Sequence, residues 1–107
     1  MKDAECVFCK IVAGEIPSPK VWQDDACIAI RDIAPQARVH FLVIPRDHYE
    51  SIAHLPQGSP LFGRLLEAAV GVARQEGLVP GGFRTQINTG RDGGQTVFHT
   101  HLHVLKD

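Results

Sequence analysis

The stretch TVFHTHLHVL, Thr96 to Leu105, places His99, His101 and His103 at alternate positions and so holds three of the chain's six histidines. Successive side chains of an extended strand point to opposite faces. Read as a strand, the segment sends Val97, His99, His101, His103 and Leu105 one way and Thr96, Phe98, Thr100, Leu102 and Val104 the other. Neighbouring imidazoles then stand about 6.5–7 Å apart and the three span roughly 13 Å. A zinc ion binds nitrogen at about 2.1 Å, so at most two of the three reach a common ion. The other chemistry open to them is nucleophilic. A neutral imidazole attacks phosphorus well, and with an ordinary pKa of about 6.5 it is mostly neutral near pH 7. Adjacent imidazoles resist becoming charged together, which favours the neutral form further.

Such a nucleophile needs its phosphate held. The segment NTGRDGGQT, Asn88 to Thr96, lies directly before the histidines. Gly90, Gly93 and Gly94 permit backbone conformations that turn N–H groups toward an anion, and Asn88, Gln95 and Thr96 add neutral donors. A bare glycine-rich hairpin is unspecific. Placed before three histidines, it reads as a cradle that stabilises charge on non-bridging phosphate oxygens. A second constellation is CVFC, with Cys6 and Cys9 one helical turn apart. It fits core packing, a redox pair or half of a four-ligand zinc site, although no thioredoxin-like βαβ pattern surrounds it.

The elements that position these groups follow from pattern. CVFCKIVAG reads as a short helix stopped by Gly14. VWQ and ACIAIRD flank an Asp24-Asp25 turn as two strands, and VHFLVIP is a third, closed by Pro45. SPLFGRLLEAAVGVARQEG is the long helix. Ser59 can cap it, Pro60 suits its first position, and Leu61, Leu65, Leu66, Ala69, Val70 and Ala73 form its apolar stripe up to Gly77. FRTQINT and TVFHTHLHVL are the last strands, joined by GRDGGQ. Such short links allow antiparallel neighbours but no helical crossover. The expectation is an α+β fold: a five-stranded antiparallel sheet, helices on one face and the histidines on the other. Cys27 and Trp22 read as packing residues, His54 as a surface histidine.

The 107 residues suit one domain, and no repeat or linker divides them. A formal charge of −1 gives no overall electrostatic case for nucleic acid or an anionic membrane. The apolar runs are too short to span a bilayer. The odd cysteine count and the lack of a secretory pattern point to reduced thiols and a cytoplasmic location.

DGGQTVFHTHLHVL resembles the motif of the histidine triad (HIT) family, His-φ-His-φ-His-φ-φ, with the Gly-Gly-Gln-Ser/Thr lead-in of its Hint branch. RDIAPQARVHFLVIPRDH, Arg31 to His48, is similar to the family's other signature block, and CVFCKIVAGEIPSPKVWQDD to its N-terminal segment. The likeness is collinear over almost the whole chain. It implies the HIT-like fold and a homodimer whose two sheets join into one of ten strands. It implies a hydrolase acting at the α-phosphate of a purine nucleotide, of the phosphoramidate or aminoacyl-adenylate kind. His101 would be the nucleophile, forming a nucleotidyl-histidine that water then cleaves. His103 would contact the phosphate and leaving group. His40 would support the triad from the adjacent strand, His99, the first triad histidine, would face a structural ion, and Asn88, Gly94, Gln95, Thr96 and Val97 would form the phosphate site. Asp32 would take the ribose hydroxyls, while Phe8, Ile11, Ile30 and Ile33 would line the base pocket. Some members carry structural zinc at positions matching Cys6, Cys9, His48 and His99; no organic cofactor is implied. Thr100 departs from the usual hydrophobic residue between the first two histidines, and Thr96 from the commoner serine. Many members also carry glycines and an aromatic-proline tail beyond the point where this chain reads HVLKD. Three other readings are a dinucleoside polyphosphate hydrolase, a nucleotide-binding regulatory protein, and a His-x-His metal hydrolase. The last lacks an acidic ligand near the triad.

Overall fold

The computed structural model describes residues 3–107. Its elements are α1 (Val7–Val12), β1 (Lys20–Gln23), β2 (Cys27–Arg31), β3 (Val39–Pro45), α2 (Leu61–Gln75), β4 (Arg84–Gln86) and β5 (Leu102–Lys106), with single 3-10 turns at Ile52–His54 and Arg91–Gly93. The strands form one antiparallel sheet in the order β1-β2-β3-β5-β4, the α+β arrangement expected. Among the described residues, no helix is long and apolar enough to cross a membrane.

The two central strands decide the layering. β2 and β3 are apolar at consecutive positions, so both of their faces need cover. Cys27, Ala29, Phe41 and Val43, with Leu102 and Val104 of β5, pack beneath α2. Ile28, Ile30, Leu42 and Ile44 point the other way and pack on Phe8 and Ile11 of α1. The helices therefore cover opposite faces rather than one. This brings α1, with its cysteines, onto the face that carries the histidines.

The buried stripe of α2 is Leu65, Ala68, Ala69, Val72 and Ala73, while Leu66 is 52% exposed. The outer edge of the Trp22 ring closes on the helix at Gly71, where a Cβ would collide with it, so only glycine admits this approach. Trp22 is a packing residue, anchored by its Nε1–H to Asp24 Oδ2 at 2.9 Å.

The histidine segment is a strand only from Leu102 onward; residues 96–101 lie outside it and Val97–His99 form a bend. β5 pairs with β3 as far as Leu102↔Val43. Pro45, two residues on, has no N–H with which to extend a ladder. The departing chain is held by other bonds: the Thr100 N–H and hydroxyl both donate to the Tyr49 carbonyl, at 2.8 and 2.9 Å. That departure separates His99 from the other two histidines.

Candidate active site

Thr96, His101 and His103 line a cleft of about 170 Å³ together with Gln86, Asn88 and Gly94. The loop that frames it bends through Gly90 (φ 73°) and Gly94 (φ 84°), conformations favoured by glycine. Gln95 locks the bend. Its Oε1 accepts from the Gly90 N–H at 2.8 Å, and its amide donates to the Val97 carbonyl at 3.0 Å and to the Glu50 carbonyl. The residue is 5% exposed and lines the cleft, and its amide also builds the loop. Asn88 is also tied in: its Nδ2 donates to the Gly93 carbonyl at 2.8 Å, and its Oδ1 accepts from Gln86 at 3.1 Å.

The ring of His101 is oriented by its own backbone. Nδ1 donates to the His99 carbonyl at 2.7 Å. In the neutral ring this leaves Nε2 as a lone pair. Phe8 meets the ring edge-on at a centroid distance of 5.1 Å. Burial pushes the His101 pKa below the ordinary imidazole value, which favours the neutral, nucleophilic form.

His103 stacks edge-on to His101 at 5.0 Å, and its protonation is set from the neighbouring strand. The Gln36 N–H donates to Nδ1 of His40 at 3.1 Å. The proton of His40 therefore sits on Nε2, which donates to Nδ1 of His103 at 2.8 Å. His103 in turn carries its proton on Nε2. Burial first, then the neighbouring His101 and His40, push its pKa down to about 4. Asp32 completes this cluster, with Oδ2 at 3.5 Å from His40 Nε2 and Oδ1 held by the Ala34 N–H at 2.8 Å.

On the other side of His101, α1 presents two thiols. Cys6 is the N-cap of α1, its sulfur accepting from the Cys9 N–H. Nδ1 of His99 lies 3.3 Å from Cys6 Sγ, 3.6 Å from Cys9 Sγ and 3.2 Å from His48 Nδ1, while Cys9 Sγ to His48 Nδ1 is 3.4 Å. All four donor atoms lie within 4.8 Å of one another. A tetrahedral ion with Zn–S of about 2.3 Å and Zn–N of about 2.1 Å sets its ligand atoms roughly 3.3–3.8 Å apart. Nε2 of His99 donates to the Pro45 carbonyl at 2.8 Å, so Nδ1 is the lone pair and points into the cluster. These four residues have the spacing, and His99 the tautomer, to hold one divalent cation.

Phe8, Ile11 and Ile30 pack in one buried cluster, with Val97 against it. Ile33 does not join them: it is 99% exposed on the loop after β2, beyond the Asp32–Ala34 turn. His54 lies away from the cleft, bonded to Ser51 and paired with Glu50. Residue types did not reveal Gln36, Pro45 or Tyr49, because these act through backbone groups. Gln86 had a readable signal, since strand alternation places it across from His103.

A glycine-bent loop facing two imidazoles, one with a lone pair at Nε2 and one with an N–H there, gives this α+β protein a site with a nucleophile and a hydrogen-bond donor side by side. The HIT domain profile matches residues 13–107. A purine nucleoside phosphoramidase of Escherichia coli K12 is 42% identical over 102 residues, covering 94% of this chain and 86% of that protein. The HitA protein of Neisseria gonorrhoeae is 45% identical over 101 residues and covers 94% of both. A histidine triad protein from Clostridium difficile superposes with a TM-score of 0.94 at 40% identity, covering 98% of this chain and 92% of that one. The chain belongs to the HIT family and is Hint-like.

Proposed function

We propose that this protein is a histidine-triad hydrolase that cleaves the P–N bond of purine nucleoside 5′-phosphoramidates, or the P–O bond of aminoacyl-adenylates, through a nucleotidyl-histidine. The observation that carries the reading is the bond from His101 Nδ1 to the His99 carbonyl, which fixes Nε2 as the lone pair of a ring lining the cleft. In the first step Nε2 of His101 attacks the α-phosphorus and a P–Nε2 bond forms. The P–N bond breaks, its electron pair stays on the leaving nitrogen, and that nitrogen takes up a proton from solvent, relayed by the Thr96 hydroxyl. The Nε2–H of His103 binds a non-bridging oxygen, and the Thr96 hydroxyl faces the leaving group. The loop amides around Gly94 and Val97 hold the remaining charge. In the second step water attacks phosphorus, the P–Nε2 bond breaks, and the nucleoside monophosphate leaves. Asp32 takes the ribose hydroxyls, and the base lies toward the apolar cluster of Phe8, Ile11 and Ile30.

The reading includes a structural zinc on Cys6, Cys9, His48 and His99, supported by donor spacings that match a tetrahedral ion. Held there, the ion ties α1 to the backbone turn whose carbonyl orients His101. It includes a homodimer, supported by the exposed β4 at the edge of the sheet, which can pair with its copy to give ten strands. Free thiols fit a reducing, cytoplasmic setting.

The test is incubation with adenosine 5′-phosphoramidate. An acid-labile adenylyl adduct on His101 is expected in wild type. His101→Gly should lower turnover on the order of a thousandfold or more while AMP affinity by calorimetry stays within about threefold. Wild-type turnover by that variant would remove His101 from the mechanism.

A further inference from the structure

A second groove, of about 330 Å³, opens beside the cleft and shares Thr96 with it. Its other walls are Val97, Phe98 and Val7, with Asp3 and Glu5, and Cys6 and His48 of the thiol–imidazole cluster. Val7 and Phe98 are 41% and 47% exposed. Single exposed apolar side chains are ordinary, but these two line the same groove, and the groove meets the residue placed at the leaving group. Its carboxylates are those of Asp3 and Glu5, no lysine or arginine lines it, and its other ionisable groups are Cys6 and His48. Asp3 caps the Glu5 N–H at 2.9 Å and stands 3.9 Å from His48 Nε2. Glu5 forms no ion pair among the described residues.

We infer that this groove is the leaving-group subsite and that it selects amines with an apolar stem and a distal ammonium, the diamine and polyamine class. The inference rests on the hydrolase reading above. Val7, Val97 and Phe98 cover the stem once the P–N bond places its nitrogen at Thr96. The carboxylates of Asp3 and Glu5 attract the far cation and repel a distal carboxylate. Exposed charges at such a rim act modestly and are screened by salt, so the selection is graded.

The experiment compares kcat/KM for four adenosine 5′-phosphoramidates: the unsubstituted compound and its N-hexyl, N-(ω-aminohexyl) and N-(ω-carboxypentyl) derivatives. The ω-amino compound should exceed the ω-carboxy compound by about three- to tenfold, with the hexyl compound between them. Adding about 0.5 M salt should narrow that spread. Glu5→Gln should shrink it and Glu5→Lys should reverse it. Phe98→Ala should lower the hexyl and aminohexyl compounds together and leave the unsubstituted one unchanged. If the unsubstituted compound is cleaved but the ranking ignores charge, or survives Glu5→Lys, the subsite is overturned and the hydrolase reading stands. If wild type cleaves none of the four, both fall.

Discussion

Two clusters flank His101 and use nearly the same residue types. Cys6, Cys9, His48 and His99 form one, and Asp32, His40 and His103 the other. Each brings its donor atoms within 4.8 Å of one another. What differs is the partner of the far ring nitrogen. Nε2 of His99 meets a carbonyl, that of Pro45, so its proton faces away and its lone pair faces the cluster. Nδ1 of His40 meets the N–H of Gln36, so its proton lies on Nε2 and points into the cluster at His103. A lone pair receives a cation, while an N–H bond repels one. One backbone group, acceptor in the first case and donor in the second, decides whether a histidine cluster turns a lone pair or a proton inward. His99 belongs to both halves of the site, since its ring enters the thiol–imidazole cluster and its carbonyl orients His101.

The largest effect tests the first cluster. Cys9→Ser should lose about one equivalent of zinc. Structural zinc contributes several kcal/mol or more to folding, so the melting temperature should fall by about 10 °C or more. Elemental analysis and thermal unfolding of protein purified without added metal check this. Zinc well below one equivalent in a folded wild-type chain would break the comparison at its root.

This division of labour was only half legible in the sequence. The strands, both helices and the triad's surroundings follow from apolar runs and glycine positions, because those patterns report burial directly. The division of the triplet, His99 toward an ion and His101 and His103 toward the phosphate, came from the family likeness, while strand alternation alone put all three on one face. The strand stops where Pro45 can no longer pair, and the bend turns His99 toward the Cys6 thiol. The layering misled for a related reason: the apolar runs in β2 and β3 demanded cover on both faces, and only α1 could provide the second. Gln95 read as a ligand donor; it lines the cleft, and its amide also bonds carbonyls of the loop and of Glu50, a structural task that residue type does not reveal. Tautomers lay beyond reach altogether, because Gln36 and Pro45 act through groups that every residue, or every residue but proline, carries.

A smaller effect tests the second cluster. Removing the buried donor to His103 costs about 1–3 kcal/mol, which is roughly a five- to hundredfold loss in rate. His40→Ala should therefore lower kcat by that factor while zinc content stays at the wild-type level. Loss of zinc in His40→Ala would show the two clusters to be one unit. An unchanged kcat would show that the proton on His40 Nε2 is idle.

The smallest effect concerns the proton on His103, whose pKa lies at about 4 with His101 and His40 on one side and Asp32 on the other. Below that pH the ring gains a second N–H at Nδ1, where it meets the N–H of His40 and the hydrogen bond is lost. Protonation is therefore resisted in the folded protein, and its ring resonances should titrate near pH 4, well below the ordinary imidazole range of about 6.5. Ring NMR signals of the nucleotide-free protein read this directly. Burial and the two histidines hold the pKa down, while the Asp32 carboxylate opposes them. Asp32→Asn should then shift the midpoint slightly lower, and a shift upward would mean that the carboxylate acts on His103 through the orientation of His40 rather than through its charge.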